Sequence, residues 1–185
     1  LTVVSGFIET LLDGLHDLSP EDMKNFLGLA HQQASRMQRL VDDLLTLSAL
    51  ETGSPPPSEA RVAMDGLRAE AVDAARALSG GRHRIVLEAA SPAGFLLGSR
   101  SELRSVMGNL VSNAIRYTPE NGEVRIVWEI GADGGVFSVI DSGIGIESRH
   151  LGRLTERFYR VDRGRSSETG GTGLGLAIVK HALMR

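Results

Sequence analysis

The chain has 185 residues, 42% of them hydrophobic and 23% charged, with a formal net charge of −3 and no cysteine. That length holds one ordinary domain plus a smaller element, and the composition excludes wholesale disorder. The negative balance argues against a nucleic-acid partner held by bulk electrostatics, and the lack of cysteine removes disulfides, thiolate zinc sites and cysteine nucleophiles together.

No apolar run is long enough to cross a bilayer and no signal peptide opens the chain, so a soluble chain is expected. Leu1, Val4, Ile8, Leu11 and Leu15 recur at steps of three and four with no capping residue before them, which places the first residue already inside a helix. The pattern breaks near Gly14 to Leu18. SPED then predicts a new helix, with Ser19 placed to cap, Pro20 at the first helical position and Asp22 in the electropositive first turn. Met37, Leu40, Leu44 and Leu47 carry the same spacing to about Glu51. Two such helices form a hairpin that cannot bury its apolar stripes alone, which predicts pairing of two copies through residues 1–51 into a four-helix bundle.

TGSPPPSEA ends this pattern, because consecutive prolines cannot continue a helix and favour an extended linker. The expected organisation is a hairpin over 1–52, a linker over 53–60 and a second domain over 61–185. That domain opens with a short helix near Asp65 to Leu78, followed by strand-like RIVLEAA and GFLLG. A helix carrying NLVSNAIRYTP comes next and stops at Thr118-Pro119. Val124, Ile126, Trp128 and Ile130 then alternate with other residues as in a one-sided strand, and GADGG turns the chain into VFSVID. The pattern is a sheet layered on helices.

Asn109 and Asn113 lie four apart on one helical face, beside the apolar face of Leu103, Val106, Met107, Leu110 and Val111. A neutral carboxamide offers oxygen to a hard cation and NH2 to a phosphate, so the pair next to Arg116 suits a metal-bound phosphate chain. A half-exposed polar helix face is the plain alternative. Two glycine groups follow, DSGIG at 141–145 and GGTGLGLAIVK at 170–180. The second leads into an apolar helix, where backbone N–H groups and the helix dipole favour phosphate, yet its spacing is neither a dinucleotide fingerprint nor a P-loop. Asp141 ends a hydrophobic strand, where a buried carboxylate needs a donor; an adenine amine supplies one, and a bond to its own loop backbone is the alternative. Between the groups stand Arg149, Arg153, Arg157, Arg160, Arg163 and Arg165, three of them four apart on an expected helix, in a stretch that suits a mobile lid.

Taken in order, these elements resemble the two-component sensor histidine kinases. NLVSNAIRYTP is similar to the family's N box, DSGIGI to its first glycine box, ERFYRVD to its F box and GGTGLGLAIVK to its second glycine box, while the hairpin resembles the dimerisation and phosphotransfer domain. The fold implied is α+β, a dimeric helical hairpin followed by an α/β sandwich of the histidine kinase, gyrase and chaperone ATPase type. The resemblance implies ATP and Mg2+ as cofactors, with Asn113 ligating the metal, Asn109 beside it, and Arg116 and Tyr117 lining the nucleotide. It implies that Asp141 receives the adenine amine, that Gly143 and Gly145 shape that pocket, that Arg160 reaches the γ-phosphate, and that Gly171, Thr172, Gly173 and Gly175 wrap the phosphates.

Asn109 stands where related ATPases and anti-sigma serine kinases carry a general-base glutamate, and an amide takes no proton at neutral pH, so the resemblance favours transfer to histidine over hydrolysis. Those relatives, and a degenerate nucleotide-binding dimerisation module, are the competing readings. The expected partner is a response-regulator receiver domain, and the expected setting is the cytoplasmic face of the inner membrane, with the parent anchored upstream. The family's acceptor histidine belongs to a HELRTP-like stretch expected immediately before Leu1. His16, His31, His83, His150 and His181 stand in no such context.

Overall fold

The computed structural model describes residues 2–13, 18–52, 60–89, 94–131, 134–161 and 171–184. The chain falls into two compact units, Leu1–Leu45 and Thr46–Arg185. The first holds helix α1 (Thr2–Asp13) and most of helix α2 (Pro20–Glu51). Ser19 caps α2 as the SPED pattern predicts: its Oγ receives the Asp22 N–H at 3.1 Å and donates to Asp22 Oδ2 at 2.7 Å. Leu11 and Ala30 are buried, whereas Ile8, Leu12, Leu27, Met37, Val41, Leu44 and Leu45 are exposed. Leu1, the break at 14–17 and the prolines of the linker lie outside the described residues.

In chain order the second unit adds β1 (Ala60–Ala63), α3 (Met64–Ser79), β2 (Arg84–Ala89), β3 (Phe95–Gly98), α4 (Arg100–Tyr117), β4 (Glu123–Gly131), β5 (Gly134–Asp141), α5 (Ser148–Leu151) and α6 (Gly175–Leu183). Strands β2, β4 and β5 form one sheet in that order, β2 parallel and β5 antiparallel to β4, while β1 and β3 pair as a separate antiparallel ribbon. A parallel pair cannot be closed by a tight turn. The β2 to β4 crossover therefore runs through β3 and α4, which carries α4 past the sheet.

Alternation on β4 decides where the core sits. Val124, Ile126 and Trp128 point to one face and meet Met64, Leu67, Ala71, Val72 and Ala75 around α3 and Met107, Val111, Ala114 and Ile115 of α4. Trp128 is 1% exposed and stands opposite Phe137 in the β4–β5 register. Ile130, expected on the same face, is exposed one residue before the end of β4. On the α3–α4 surface, Glu70 accepts from Arg104 and Arg100, and those hydrogen bonds, Arg104 first, hold its carboxyl below the usual range.

Two elements differ from the sequence reading. The four residues of β1 were not anticipated, since so short a strand shows no readable alternation. The arginine segment is not one long helix: α5 ends at Leu151, and turns follow to Phe158. Arg149 and Arg153 pair with Glu147 and Glu156, and Arg157 with Glu51. These near neighbours satisfy the cations without a helical stripe.

Leu47 and Leu50, in the last turns of α2, belong to the second unit and form a buried cluster with Leu174, Ala177 and Ile178 of α6 and its approach. Beside it, Glu51 also faces His181 Nε2 at 3.5 Å.

A side chain at Gly135 would run into the Trp128 ring. Gly135→Ala is expected to lower stability by ~1–3 kcal/mol, the usual range for an overpacked core. Urea denaturation followed by the emission of Trp128, the chain's one tryptophan, measures this.

Candidate nucleotide site

One helix carries both the core and the candidate site. The buried residues Met107, Val111, Ala114 and Ile115 fix the rotation of α4, and that rotation leaves Asn109, Asn113 and Arg116 half-buried on the side where α6 packs. Ser99 caps the helix start, its Oγ accepting the Glu102 N–H at 3.4 Å. Asn109 Nδ2 donates to the Ser105 carbonyl at 3.0 Å. That acceptor fixes the carboxamide so that Oδ1 faces Gly175, where a side chain would overlap it. Arg116 Nη1 donates to Asn113 Oδ1 at 3.4 Å, the length of a weak bond that an incoming ligand can replace.

The second glycine group closes on this face. Arg116 and Arg160 both border Gly171: a methyl there would lie 3.1 Å from Arg116 Nη1 and 3.8 Å from Arg160 Nη2. Gly173 takes φ +75°, and a Cβ on it would lie 2.9 Å from the Phe158 backbone, so glycine is required there twice over. Its carbonyl receives the Phe158 N–H at 2.9 Å, while Thr172 Oγ1 receives the Leu174 N–H at 3.3 Å. Two asparagines, two guanidiniums and the N-terminus of α6 thus meet around one glycine loop. Backbone N–H groups and fixed guanidinium forks suit a polyphosphate.

Asp141 departs from expectation. It is exposed rather than buried, because it sits at the outer end of edge strand β5, and its Oδ1 receives the Gly143 N–H at 2.9 Å. A carboxylate accepts more than one bond, so this one leaves capacity for a ligand amine. The Ile144 N–H donates to the Tyr117 carbonyl at 3.2 Å, and its side chain is 66% exposed. The first glycine group is thereby tied to the end of α4. Gly145 takes φ +69° in open space. An apolar cavity of about 260 Å³, lined by Leu103, Met107, Trp128, Phe137 and Leu183 among others, includes none of these residues.

Asn109, Asn113, Arg116, Tyr117, Asp141, Gly143, Gly145, Arg160, Gly171, Thr172, Gly173 and Gly175 fall on this loop-and-helix surface of the second unit, while Arg163, Arg165, Gly170 and the rest of 162–170 in the stretch expected as a lid lie outside the described residues. Ser105 was missed, although its place four residues before Asn109 is a readable signal. Ser142, which receives the Glu123 N–H at 2.8 Å and braces the first glycine group, has no such signal. Among the described residues no cluster of histidine and carboxylate side chains could hold a metal unaided. No helix among them is long and apolar enough to cross a membrane.

This combination defines a class, an ATPase-type α/β fold joined to a helical segment. Residues 98–185 match the family described as histidine kinase-, DNA gyrase B-, and HSP90-like ATPase, and residues 1–53 match the His kinase A phospho-acceptor domain. The chain belongs to the two-component sensor histidine kinases. It is 54% identical to the phosphate regulon sensor protein PhoR of Pseudomonas aeruginosa over all of this chain and 42% of that protein. It is 36% identical to PhoR of Haemophilus influenzae, again over the whole chain and 43% of that protein, so it spans about two fifths of these relatives. Among solved structures, the Acinetobacter baumannii histidine kinase AdeS matches with a TM-score of 0.74 at 23% identity, covering 99% of this chain and 82% of that one. Full-length ShkA in complex with AMPPNP matches with a TM-score of 0.72 at 24% identity, covering 98% of this chain and 37% of that one. At these identities the two structures speak for the fold.

Gly175→Ala is expected to leave stability within ~1 kcal/mol of the parent, since alanine suits a helix better than glycine, while displacing the Asn109 carboxamide from Ser105. The Asn109 side-chain NH2 resonances in 15N NMR report the displacement. Unshifted resonances would show that the overlap is relieved elsewhere.

Proposed function

We propose that this chain is the nucleotide-binding and dimerisation core of a kinase that transfers the γ-phosphoryl group of ATP to a histidine, from which a response-regulator aspartate takes it. The observation that carries this reading is the meeting of Asn109, Asn113, Arg116 and Arg160 around the second glycine loop. ATP binding is what the ATPase family match implies, and the AMPPNP held by ShkA agrees with it. In this reading Asp141 accepts the adenine amine; guanine would present it with a carbonyl oxygen, which a carboxylate repels. Arg160 reaches the γ-phosphate, Arg116 and Tyr117 line the nucleotide, and Gly171, Thr172, Gly173 and Gly175 hold the phosphates. Asn109 offers water no base, so the bound triphosphate is preserved for a histidine nucleophile.

The donor set fits Mg2+ brought in by the nucleotide. The protein offers neutral carboxamide oxygens and no carboxylate cluster, which suits a hard cation bound largely by phosphate oxygens. Asn113 Oδ1 would hold it, with Asn109 adjacent. Bound there, the ion would neutralise developing charge on the phosphates. Asn113→Ala is expected to weaken ATP binding about tenfold in the presence of magnesium, a loss equal to one charge-assisted contact, and far less in its absence. Calorimetry with and without the ion checks this, and equal losses would remove Asn113 from that role.

We also assign dimerisation to residues 1–51, beside a linker at 53–60 and a catalytic domain over 61–185. The exposed Leu27, Met37, Val41, Leu44 and Leu45 on α2 support the pairing, since an isolated helix presenting so much apolar surface is costly in water. We place the intact kinase at the cytoplasmic face of the inner membrane. Light scattering is expected to give the mass of two chains for the parent and of one for Leu44→Glu. A Leu44→Glu protein that stays dimeric would move the interface elsewhere.

A further inference from the structure

His83 follows α3 and precedes β2, and its ring lies between two nearly inaccessible groups, Ser79 at 1% exposure and Thr118 at 6%. Nε2 stands 2.9 Å from the Thr118 carbonyl, and Nδ1 stands 3.2 Å from Ser79 Oγ. A carbonyl can only accept, so Nε2 carries the proton and donates to Thr118. Nδ1 then accepts from the Ser79 hydroxyl, and Ser79 Oγ accepts in turn from the His83 backbone N–H at 3.0 Å. Both ring nitrogens thus have a partner.

The Thr118 carbonyl matters because of where it lies. Thr118 is the C-cap of α4, and the end of a helix leaves carbonyls without intrahelical partners. The Thr118 N–H and Oγ1 both donate to the Ala114 carbonyl, at 3.1 and 2.7 Å. The Tyr117 carbonyl receives the Ile144 N–H, and the Thr118 carbonyl receives His83. Pro119 follows and has no N–H to offer. Gly143 packs so closely on the Tyr117 carbonyl and Asp141 Oδ1 that a Cβ would overlap both. The two carbonyls lie on successive peptide planes hinged at Thr118 Cα, so holding the Thr118–Pro119 plane restricts the Tyr117–Thr118 plane on which Gly143 and Ile144 rest, and with them the Asp141 carboxylate.

We propose that His83 is a positioning residue for the adenine end of the site: it caps α4 from a different element by holding the Thr118 carbonyl, and through the Thr118 Cα hinge steadies the Tyr117 carbonyl on which the first glycine group rests. The inference depends on the reading of Asp141 as the adenine acceptor. It gives a purpose to a histidine that no motif contains.

Asparagine and glutamine separate the two ring contacts. From the same backbone, an asparagine amide reaches about as far as Nδ1, and a glutamine amide about as far as Nε2. His83→Asn should thus keep the Ser79 bond and lose Thr118, whereas His83→Gln restores a donor to Thr118. In the whole chain, His83→Asn is expected to shift the Gly143 and Ile144 amide resonances, leave those of Gly173 and Gly175 in place, and weaken ATP binding roughly 2- to 10-fold, the worth of one neutral hydrogen bond. His83→Gln should return both readouts to within about twofold of the parent. Identical behaviour of the two variants, or an affinity loss without movement of the Gly143 and Ile144 amides, overturns the proposal. Asp141→Asn in the same assay tells the two readings apart. Unchanged ATP affinity there sinks the adenine assignment itself, whereas a loss there with none in His83→Asn sinks the His83 inference alone.

Discussion

The buried stripe of α4 is the constraint on which the second unit rests. Met107, Val111, Ala114 and Ile115 lock against Ile126 and Trp128 of β4 and against α3, and a helix held along one face has no freedom to turn the other. The apolar residues therefore determine where Asn109, Asn113 and Arg116 point. A shift of one residue in the stripe would rotate all three by about 100° and carry them off the glycine loop. Core and site are two faces of one packing decision, which explains why the polar face tolerates half-burial of two amides and a guanidinium.

The parts of the fold legible in the sequence are those with a long period or a sharp chemical stop. The capping pattern at Ser19, the alternation at Val124, Ile126 and Trp128, and the Thr118-Pro119 stop each have a local physical cause, and each stands in the structure at its expected place. What was not legible depends on distant partners. Strand β1 exists because β3 pairs with it in register from Ala60↔Gly98 to Ala63↔Phe95, a relation that four residues cannot announce. The segment after α5 runs as turns although the arginine spacing alone suits a helix, and it ends at Phe158 with φ +60°, a value no right-handed helix holds. Asp141 reads as buried because its strand is hydrophobic; that β5 is an edge whose last residue reaches solvent is a property of the sheet.

The candidate site residues stand out in the sequence for a different reason. Asparagines four apart, and glycines ahead of an apolar helix, are local patterns visible without knowledge of the fold, and the structure supplies a steric requirement behind them. Gly175 must lack a side chain because Asn109 Oδ1 occupies that space, and Asn109 is turned toward Gly175 because Ser105 holds its other end. The two motifs are therefore one steric unit, although 66 residues separate them in the chain (175 − 109). Under the proposed reading, a change in either is felt by both.

The same logic extends to the far side of the glycine loop. Helix α6 begins at Gly175 against Asn109, yet the residues just inside it, Ala177 and Ile178, with Leu174 before them, are buried against Leu47 and Leu50 at the end of α2. The loop is thus set between a polar contact to α4 and an apolar cluster supplied by α2. The first depends on direction, because a carboxamide oxygen must find a gap where a side chain is missing. The second depends on area alone, and apolar contacts slide more readily than hydrogen bonds reorient. Glu51, at the last residue of α2, adds direction where the cluster lacks it, by facing both Arg157 ahead of the loop and His181 behind it. Two helices far apart in sequence therefore bound the glycine loop, and its backbone N–H groups inherit their placement from both.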